Sequence, residues 1–252
     1  MISLKSKREI QIIQEAAEIL KEVFQKVRPA IRVGVRTEDL DRLAEEVIRR
    51  AGAEPAFKGY RGFPKTACIS VNEEVVHGIP GPRELEEGDI VSFDIGAKVK
   101  GYYADAARTW HVGSPIPEAK CRLIEAAQEG LKAGLAVYRP GCRVGDLSET
   151  IQKSIESKGY QVVRDYVGHG IGRALHEEPQ VPNYGRAGHG PKIESGLVLA
   201  IEPMVTEGHW AVETLNDGWT VVTKDRKLSS HYEDTIVFME EGYVNLTGDE
   251  NK

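Results

Sequence analysis

Two aspartates in the stretch "VSFDIGAKVKGYYADAART" raise the first chemical question. Asp94 ends one apolar run and Asp105 interrupts the next, eleven residues later. Strands that feed a core rarely carry acids. Side chains alternate along a strand, so Ile90, Ser92 and Asp94 share one face while Val91, Phe93 and Ile95 share the other. A hairpin turning about Val99 and Lys100 would set Asp94 opposite Asp105, with Cβ atoms about 5 Å apart, where like charges are destabilising. The second half of the chain supplies two more acids, Glu202 closing "LVLAIE" and Glu233 in "SHYEDTIV", together with His169 in the glycine-flanked "VGHGIG". Carboxylates gathered in low dielectric raise one another's pKa or destabilise the fold. Two divalent cations resolve the conflict: four carboxylates carry −4, two cations carry +4, and a neutral His169 completes one coordination shell. An oxygen-rich set with a single imidazole suits Mn, Fe or Co better than a structural zinc. Two such ions roughly 3.5–4 Å apart can share a hydroxide, making a nucleophile at neutral pH, and can polarise a carbonyl. That is hydrolase chemistry.

Bringing these acids together is a task for the fold, and the chain carries an internal repeat suited to it. "RPAIRVG" at 28–34 matches "RPGCRVG" at 139–145 in five of seven residues, and "HGI" recurs at 77–79 and 169–171. "GDIVSFD" at 88–94 then parallels "GLVLAIE" at 196–202, each a glycine followed six residues later by an acid. The order of these features is the same in both halves, about 1–113 and 114–247. Helix signals precede the strands in each. Ser6 with Glu9 reads as a capping box opening a helix towards Val27. Thr37 reads as the N-cap of a second helix whose apolar face is Leu40, Leu43, Ala44, Val47, Ile48 and Ala51, stopping at Gly52. A third helix is expected from about Pro117 to Val137 and a fourth from about Asp146 to Lys158, closed by Gly159. Strand-type segments follow each pair, among them "ACISVN", "DIVSFDIG", "GYYADAARTWHVG", "LVLAIEPMV", "GWTVVTKD" and "HYEDTIVFM". The expected architecture is α+β, helices packed on antiparallel strands, in one pseudo-symmetric domain spanning 1–252 with a short tail from about Gly248.

Composition narrows the function classes. With 252 residues, 40% hydrophobic and 29% charged, the chain is an ordinary globular sequence long enough for a substantial core. A net charge of −6 argues against a sequence-independent nucleic-acid binder. Cys68, Cys121 and Cys142 form no CxxC pair, so neither a disulfide framework nor a zinc knuckle is expected. The N-terminus lacks the apolar centre of a signal peptide, and no stretch nears the roughly 20 apolar residues that span a bilayer. A cytoplasmic setting with no membrane partner is expected.

"DIGAKVKGYYADAART", "YVGHGIGRALHEEP", "AIEPM", "LNDGWTVVTKDRKLSSHYEDTI" and "VNEEVVHGIPG" together resemble the type I methionine aminopeptidases over nearly the whole chain. The resemblance implies the pita-bread fold, a two-metal peptidase site with a metal-bridging hydroxide, and removal of the initiator methionine from nascent proteins when the second residue is small. By position it implies Asp94, Asp105, His169, Glu202 and Glu233 as metal ligands. Asp105 and Glu233 would bridge both ions, Asp94 would complete one site, and His169 with Glu202 the other; Glu202 would also help deprotonate the attacking water. His77 and His176 would line the substrate side, His176 stabilising charge on the scissile carbonyl and His77 assisting the amine. Independently, His176 lies seven residues from His169, and His77 is the repeat counterpart of His169. The methionine pocket would use Tyr60, Phe63, Cys68 and Trp219, since aromatic and sulfur linings suit a thioether. Two positions depart from the family pattern: Phe57 stands where a smaller residue is common, and Leu175 replaces an aromatic.

The implied partners are the N-terminal methionine of nascent polypeptides and the ribosome that presents them, with the enzyme a monomer. Related pita-bread peptidases of the aminopeptidase P and prolidase type carry a sizeable N-terminal domain, for which the early first repeat leaves no room. A type II enzyme needs a helical insertion that the 31 residues from Glu202 to Glu233 do not accommodate. A pita-bread module that binds without catalysis should have lost ligands that this chain retains.

Overall fold

In the computed structural model, which describes residues 1–248, the reciprocal cap expected at the first helix is formed. The Ser6 hydroxyl accepts from Glu9 N at 3.4 Å and Glu9 Oε2 accepts from Ser6 N at 2.8 Å. α1 (Lys7–Val27) and α2 (Thr37–Arg50) precede β1 (Glu54–Pro55), β2 (Ala67–Val71), β3 (Glu74–Val76), β4 (Ile90–Val99) and β5 (Tyr102–His111). α3 (Glu118–Ala136) and α4 (Val144–Glu156) then precede a second run of strands. These are β6 (Gln161–Val162), β7 (Gly168–Gly170), β8 (Glu177–Val181), β9 (Val198–Ile201) and β10 (Met204–Thr206). The run ends with β11 (Val212–Thr214), β12 (Val221–Thr223), β13 (Ser229–His231), β14 (Asp234–Met239) and β15 (Gly242–Asn245). The helix, helix, strands order therefore occurs twice, and the named strands pair antiparallel, as the α+β expectation requires. Among the described residues no helix is long and apolar enough to cross a membrane.

β4 is the centre of one sheet, with β5 along one edge and β2 then β1 along the other. A five-stranded sheet runs in the order β15-β14-β9-β7-β8. Each sheet has its own pair of helices. Ile13, Leu20 and Phe24 of α1 and Leu40 and Ile48 of α2 pack with Phe93 and Ile95, the odd-numbered face of β4. Leu123 and Leu131 of α3 and Leu147 and Ile151 of α4 pack with Leu199, Ile201, Ile236 and Phe238. Fully burying one such side chain contributes about 1.5–3 kcal/mol, so both helix pairs are held mainly by their apolar stripes.

The two sheets meet edge to edge where β5 passes the start of β14. Ala107 N donates to the Glu233 carbonyl at 3.2 Å and Glu233 N to the Ala107 carbonyl at 3.0 Å. The Thr235 hydroxyl accepts from Asp105 N at 3.0 Å and donates to the Asp105 carbonyl at 2.8 Å. Asp105 and Glu233, predicted ligands from opposite halves, therefore sit on the seam itself.

Three local expectations are corrected. The β4–β5 hairpin turns at Lys100 and Gly101, not at Val99 and Lys100, so Asp94 pairs with Ala107 and Asp105 with Gly96. A two-residue hairpin loop of this kind needs positive φ at both central positions, which Lys100 (φ 48°) and Gly101 (φ 84°) adopt and Val99 would resist. Because the register moves by an even step, both aspartates stay on one face as diagonal neighbours. Thr37 is not an N-cap but the first residue of α2, after Arg36; its hydroxyl instead exchanges hydrogen bonds with the Gly81 carbonyl and amide at 3.0 and 2.9 Å. α4 begins at Val144, two residues before Asp146, because the Asp146 carboxylate caps Arg143 N at 2.7 Å from inside the first turn. The tail expected from about Gly248 lies, beyond that residue, outside the described part of the chain.

Candidate metal centre and active site

A cavity of about 130 Å³ opens at the seam, and all five predicted ligands line it. Asp94 projects from the middle of β4, between Cys68 of β2 and Ala107 of β5. Asp105 projects from β5 beside it. Glu202 follows the last residue of β9 and precedes Pro203, which has no N–H for the ladder; the strand ends there and β10 joins a different sheet. Asn183 Nδ2 donates to the Glu202 carbonyl at 2.9 Å and fixes that break. Glu233 is clamped from behind by the buried pair Arg108–Asp234, 2.8 Å apart, whose guanidinium also donates to the Glu233 carbonyl at 2.7 Å.

His169 sits on the short strand β7, between β8 and β9. A Cβ at Gly168 would stand 2.4 Å from the Ala200 carbonyl oxygen, and one at Gly170 would stand 2.3 Å from that of Glu178. Only glycines on both sides let the flanking strands approach closely enough to bring His169 to the acids. His169 Nδ1 lies 3.0 Å from the Gly170 carbonyl oxygen, which can accept its proton and so leave Nε2 as a lone-pair donor towards the cavity. That Nε2 is 3.6 Å from Glu202 Oε1. Asp105, His169 and Glu233 each offer a ligand atom within 4.8 Å of the other two, all three buried.

The electrostatics of this cluster are strained in the absence of positive charge. Burial pushes Asp94, Glu202 and Glu233 well above the usual carboxylate range, and the neighbouring carboxylates push each of them further. Burial lifts Asp105 to about 7, against the opposing pull of hydrogen bonds involving the Ala106 amide and Asp94. Asp94 Oδ1, Asp105 Oδ1 and Glu233 Oε1 are buried with no hydrogen-bond partner among the described residues. Buried oxygens without donors are costly. A set of four carboxylates and one imidazole with orphaned oxygens fits divalent cations, and the ordinary alternative of hydrogen-bonded structural acids does not account for those atoms. Burial also pulls His169 down to about 4, so its imidazole is neutral near pH 7, the form that ligates metal.

The other predicted residues close the cavity. His77, His176, Tyr60, Phe63, Cys68 and Trp219 all line it, as do the two departures from the family pattern, Phe57 and Leu175, and the unpredicted Arg61. His176 Nδ1 lies 2.9 Å from the Tyr60 hydroxyl and its ring stacks on that of Tyr60, 5.3 Å between centroids. The His176 and His169 rings are 4.2 Å apart. Burial, helped by the nearby His169, Arg61 and His77, holds His176 down to about 3. His77 occupies a left-handed backbone conformation (φ 61°) just after β3 and meets the edges of Tyr166 and Trp219, at 5.4 and 6.2 Å. Such a conformation persists only where its surroundings enforce it, and burial lowers the pKa of this ring as well. Trp219 meets Phe63 edge-on at 5.2 Å, which gives the cavity an aromatic part to its lining.

Sequence reasoning missed His231. Its Nε2 lies 3.7 Å from Glu202 Oε2 and 4.0 Å from Glu233 Oε2, and neither ring nitrogen has a hydrogen-bond partner among the described residues. Its place two residues before Glu233 was the available signal, since alternate residues of an extended segment share a face. Burial holds His231 down to about 3, and the same backbone is pinned by Thr109, whose hydroxyl donates to the His231 carbonyl at 2.8 Å.

Comparison with known proteins places this geometry. The chain is 50% identical to a methionine aminopeptidase of Clostridium perfringens over 247 residues, covering 98% of this chain and 99% of that one. It is 48% identical to methionine aminopeptidase 1 of Bacillus subtilis, with the same coverage of both chains. The crystal structure of a methionine aminopeptidase from Thermotoga maritima superposes with a TM-score of 0.96 at 44% identity, over 99% of this chain and 100% of that one. A prolidase from Pyrococcus furiosus superposes with a TM-score of 0.80 at 27% identity, and this chain spans 66% of it. The fold is the pita-bread arrangement these proteins share. The model of metallopeptidase family M24 matches residues 11–240, the span that contains every acid and histidine of the cavity. With relatives aligned end to end and a family match over most of its length, the chain belongs to metallopeptidase family M24.

Proposed function

We propose that this protein is a metal-dependent aminopeptidase that removes the N-terminal methionine of nascent polypeptides when the second residue is small. The observation that carries the reading is the convergence of Asp94, Asp105, His169, Glu202 and Glu233 on one cavity that Tyr60, Phe63, Cys68 and Trp219 also line. Bound divalent cations supply the charge that lets four adjacent carboxylates ionise together, and they bring the pKa of water towards neutrality. In this reading Asp94, Asp105, His169, Glu202 and Glu233 would hold the cations. The apolar wall takes the thioether side chain and excludes water from the reacting amide. Glu202 accepts a proton from the attacking water. His176, neutral and oriented by Tyr60, stabilises charge growing on the scissile carbonyl oxygen, and His77 faces the substrate amine.

After chelation and reconstitution with Mn, Co or Fe, a Met-Ala-type peptide is expected to release free methionine, while Met-Leu and Met-Lys peptides are cleaved at least about 10²-fold more slowly. Release of methionine from none of the small-second-residue peptides under any of these metals would reject the reading. Cleavage of Xaa-Pro dipeptides in their place would assign a prolidase-like activity instead. His176→Ala is expected to lower kcat by about 10²-fold, the usual effect of removing one preorganised electrostatic group, with metal content unchanged. Loss of metal in that variant would make His176 a ligand and remove it from the scissile carbonyl.

A further inference from the structure

The pair Lys5–Glu177 does not face the cavity, yet it adjoins a residue that does. Lys5 is only 5% exposed. Its Nζ donates to Glu177 Oε2 at 2.7 Å and to the Ser3 carbonyl at 2.7 Å. Burying an ammonium is costly unless it is paired, so a sequence that spends a lysine at this position needs the contact. Glu177 directly follows His176. Its Oε1 accepts from Arg173 N at 2.6 Å and from Ala174 N at 3.0 Å, so a single carboxylate closes the turn 172–177 and ties it to the N-terminal segment.

The other end of that turn is held by the same segment. Arg173 Nε and Nη2 both donate to Glu9 Oε1, at 2.9 and 2.6 Å, while Glu9 Oε2 closes the α1 cap. Lys5 N donates to the Gly196 carbonyl at 2.7 Å, just before β9, the strand that leads to Glu202. A Cβ on Gly172 would stand 2.1 Å from Lys5 Cε, so the segment lies tight against the turn. On the cavity side the His176 ring is met by Tyr60 and His169. Those contacts set the ring's tilt but not how far its backbone advances.

We infer that residues 3–9 form a strap in which Lys5 and Glu177 are positioning residues, holding the backbone of His176 forward against the cavity. The inference rests on the reading of His176 as the group that contacts the scissile amide. Without the ammonium, the Glu177 carboxylate loses its buried partner and is drawn towards water, away from the two amides that shape the turn. Misplacing a group at a reacting centre by about 1 Å costs on the order of 10²-fold in rate, and loss of an orienting partner commonly costs about 10- to 100-fold.

The test is a cycle on the full-length, metal-loaded protein with a Met-Ala-type peptide, well below the melting temperature. Lys5→Met is expected to lower kcat about tenfold with KM and metal content unchanged, and Lys5→Arg to restore most of the loss. Glu177→Gln should give the same fall, and it provides the result if Lys5→Met does not fold. Placed in a His176→Ala background, either change should cause no further loss, because its route to the chemistry is already gone. Unchanged kcat, or an equal fall in both backgrounds, would overturn the strap and leave the pair a stabilising contact only. A His176→Ala protein that keeps normal kcat would instead sink the role of His176, which the same series reads separately.

Discussion

Asp105→Asn is expected to lower kcat/KM for a Met-Ala-type peptide by at least about 10²-fold while leaving the chelated protein as stable as the parent or more so. The two halves of this result come from one cause. Asp105 lies on the seam between the sheets, buried, with its backbone fixed on both sides by the Thr235 hydroxyl. Burial pushes its carboxylate towards the protonated state, and its charge helps push the neighbouring Asp94, Glu202 and Glu233 the same way. Asparagine keeps the volume and removes the charge. In the chelated protein that relieves repulsion, so thermal stability holds or rises. In the presence of metal it removes an anionic group that would hold the proposed cations. For the parent protein, a divalent cation at 100 times its dissociation constant contributes about 2.7 kcal/mol, a shift of roughly 5–10 °C for a chain of this size. That shift should shrink to a small fraction in Asp105→Asn. A variant that lost activity yet kept the full metal-induced shift would mean that Asp105 acts on substrate and not on metal. A variant less stable than the parent under chelation would mean that the four acids do not repel one another as their burial implies.

How much of this was legible in the sequence follows from the range of each interaction. The capping box of Ser6 and Glu9 spans three residues, and the apolar face of α2 repeats within one turn or two, so both were readable locally. Strand alternation placed Asp94 and Asp105 on one face correctly, because period two survives a shift of the turn by one position. It could not choose that turn: Val99 with Lys100 and Lys100 with Gly101 differ only in which pair tolerates positive φ, and the glycine decides. Short strands such as β7 were not visible, since three residues carry no periodicity and their pairing with β9 depends on residues some thirty positions away. The acids were found by the conflict their clustering creates. The roles of His77 and His176 and the expected methionine pocket came from family resemblance; the seven-residue spacing from His169 and the repeated HGI suggested only that the two histidines lie near the site, and single aromatics in loops carry no spacing that marks chemistry. Lys5 and Glu177 were beyond reach, being 172 residues apart with nothing in either neighbourhood to announce the pair.

The melting temperatures of metal-loaded and chelated protein are expected to diverge as pH rises from about 6.5 to about 8.5. In the chelated protein Asp94, Glu202 and Glu233 lie well above the usual carboxylate range and Asp105 is pushed up to about 7. A group whose folded pKa exceeds its unfolded value gives stability that is complete below the unfolded pKa and is lost as pH rises through the folded one. Each carboxylate still protonated in the fold but ionised in the unfolded chain therefore costs about 1.4 kcal/mol per pH unit. The four histidines of the site, His77, His169, His176 and His231, act in the opposite sense, since loss of solvent around their rings lowers their folded pKa. Their stability is complete above the unfolded value near 6.5 and is lost only as pH falls, so they offset the carboxylates in acid but not above neutrality. From about pH 6.5 upward the carboxylates act alone and the chelated protein should weaken steadily. With divalent cations in place the same acids are ionised in the fold as they are in the unfolded chain, and that slope disappears. Thermal unfolding with chelator and with Mn at three pH values across this range reads the difference directly. Two parallel curves would show that folding protonates no carboxylate in the metal-free cavity. The acids would then not be crowded enough to demand cations, and the physical case for a metal centre at the seam would fall with them.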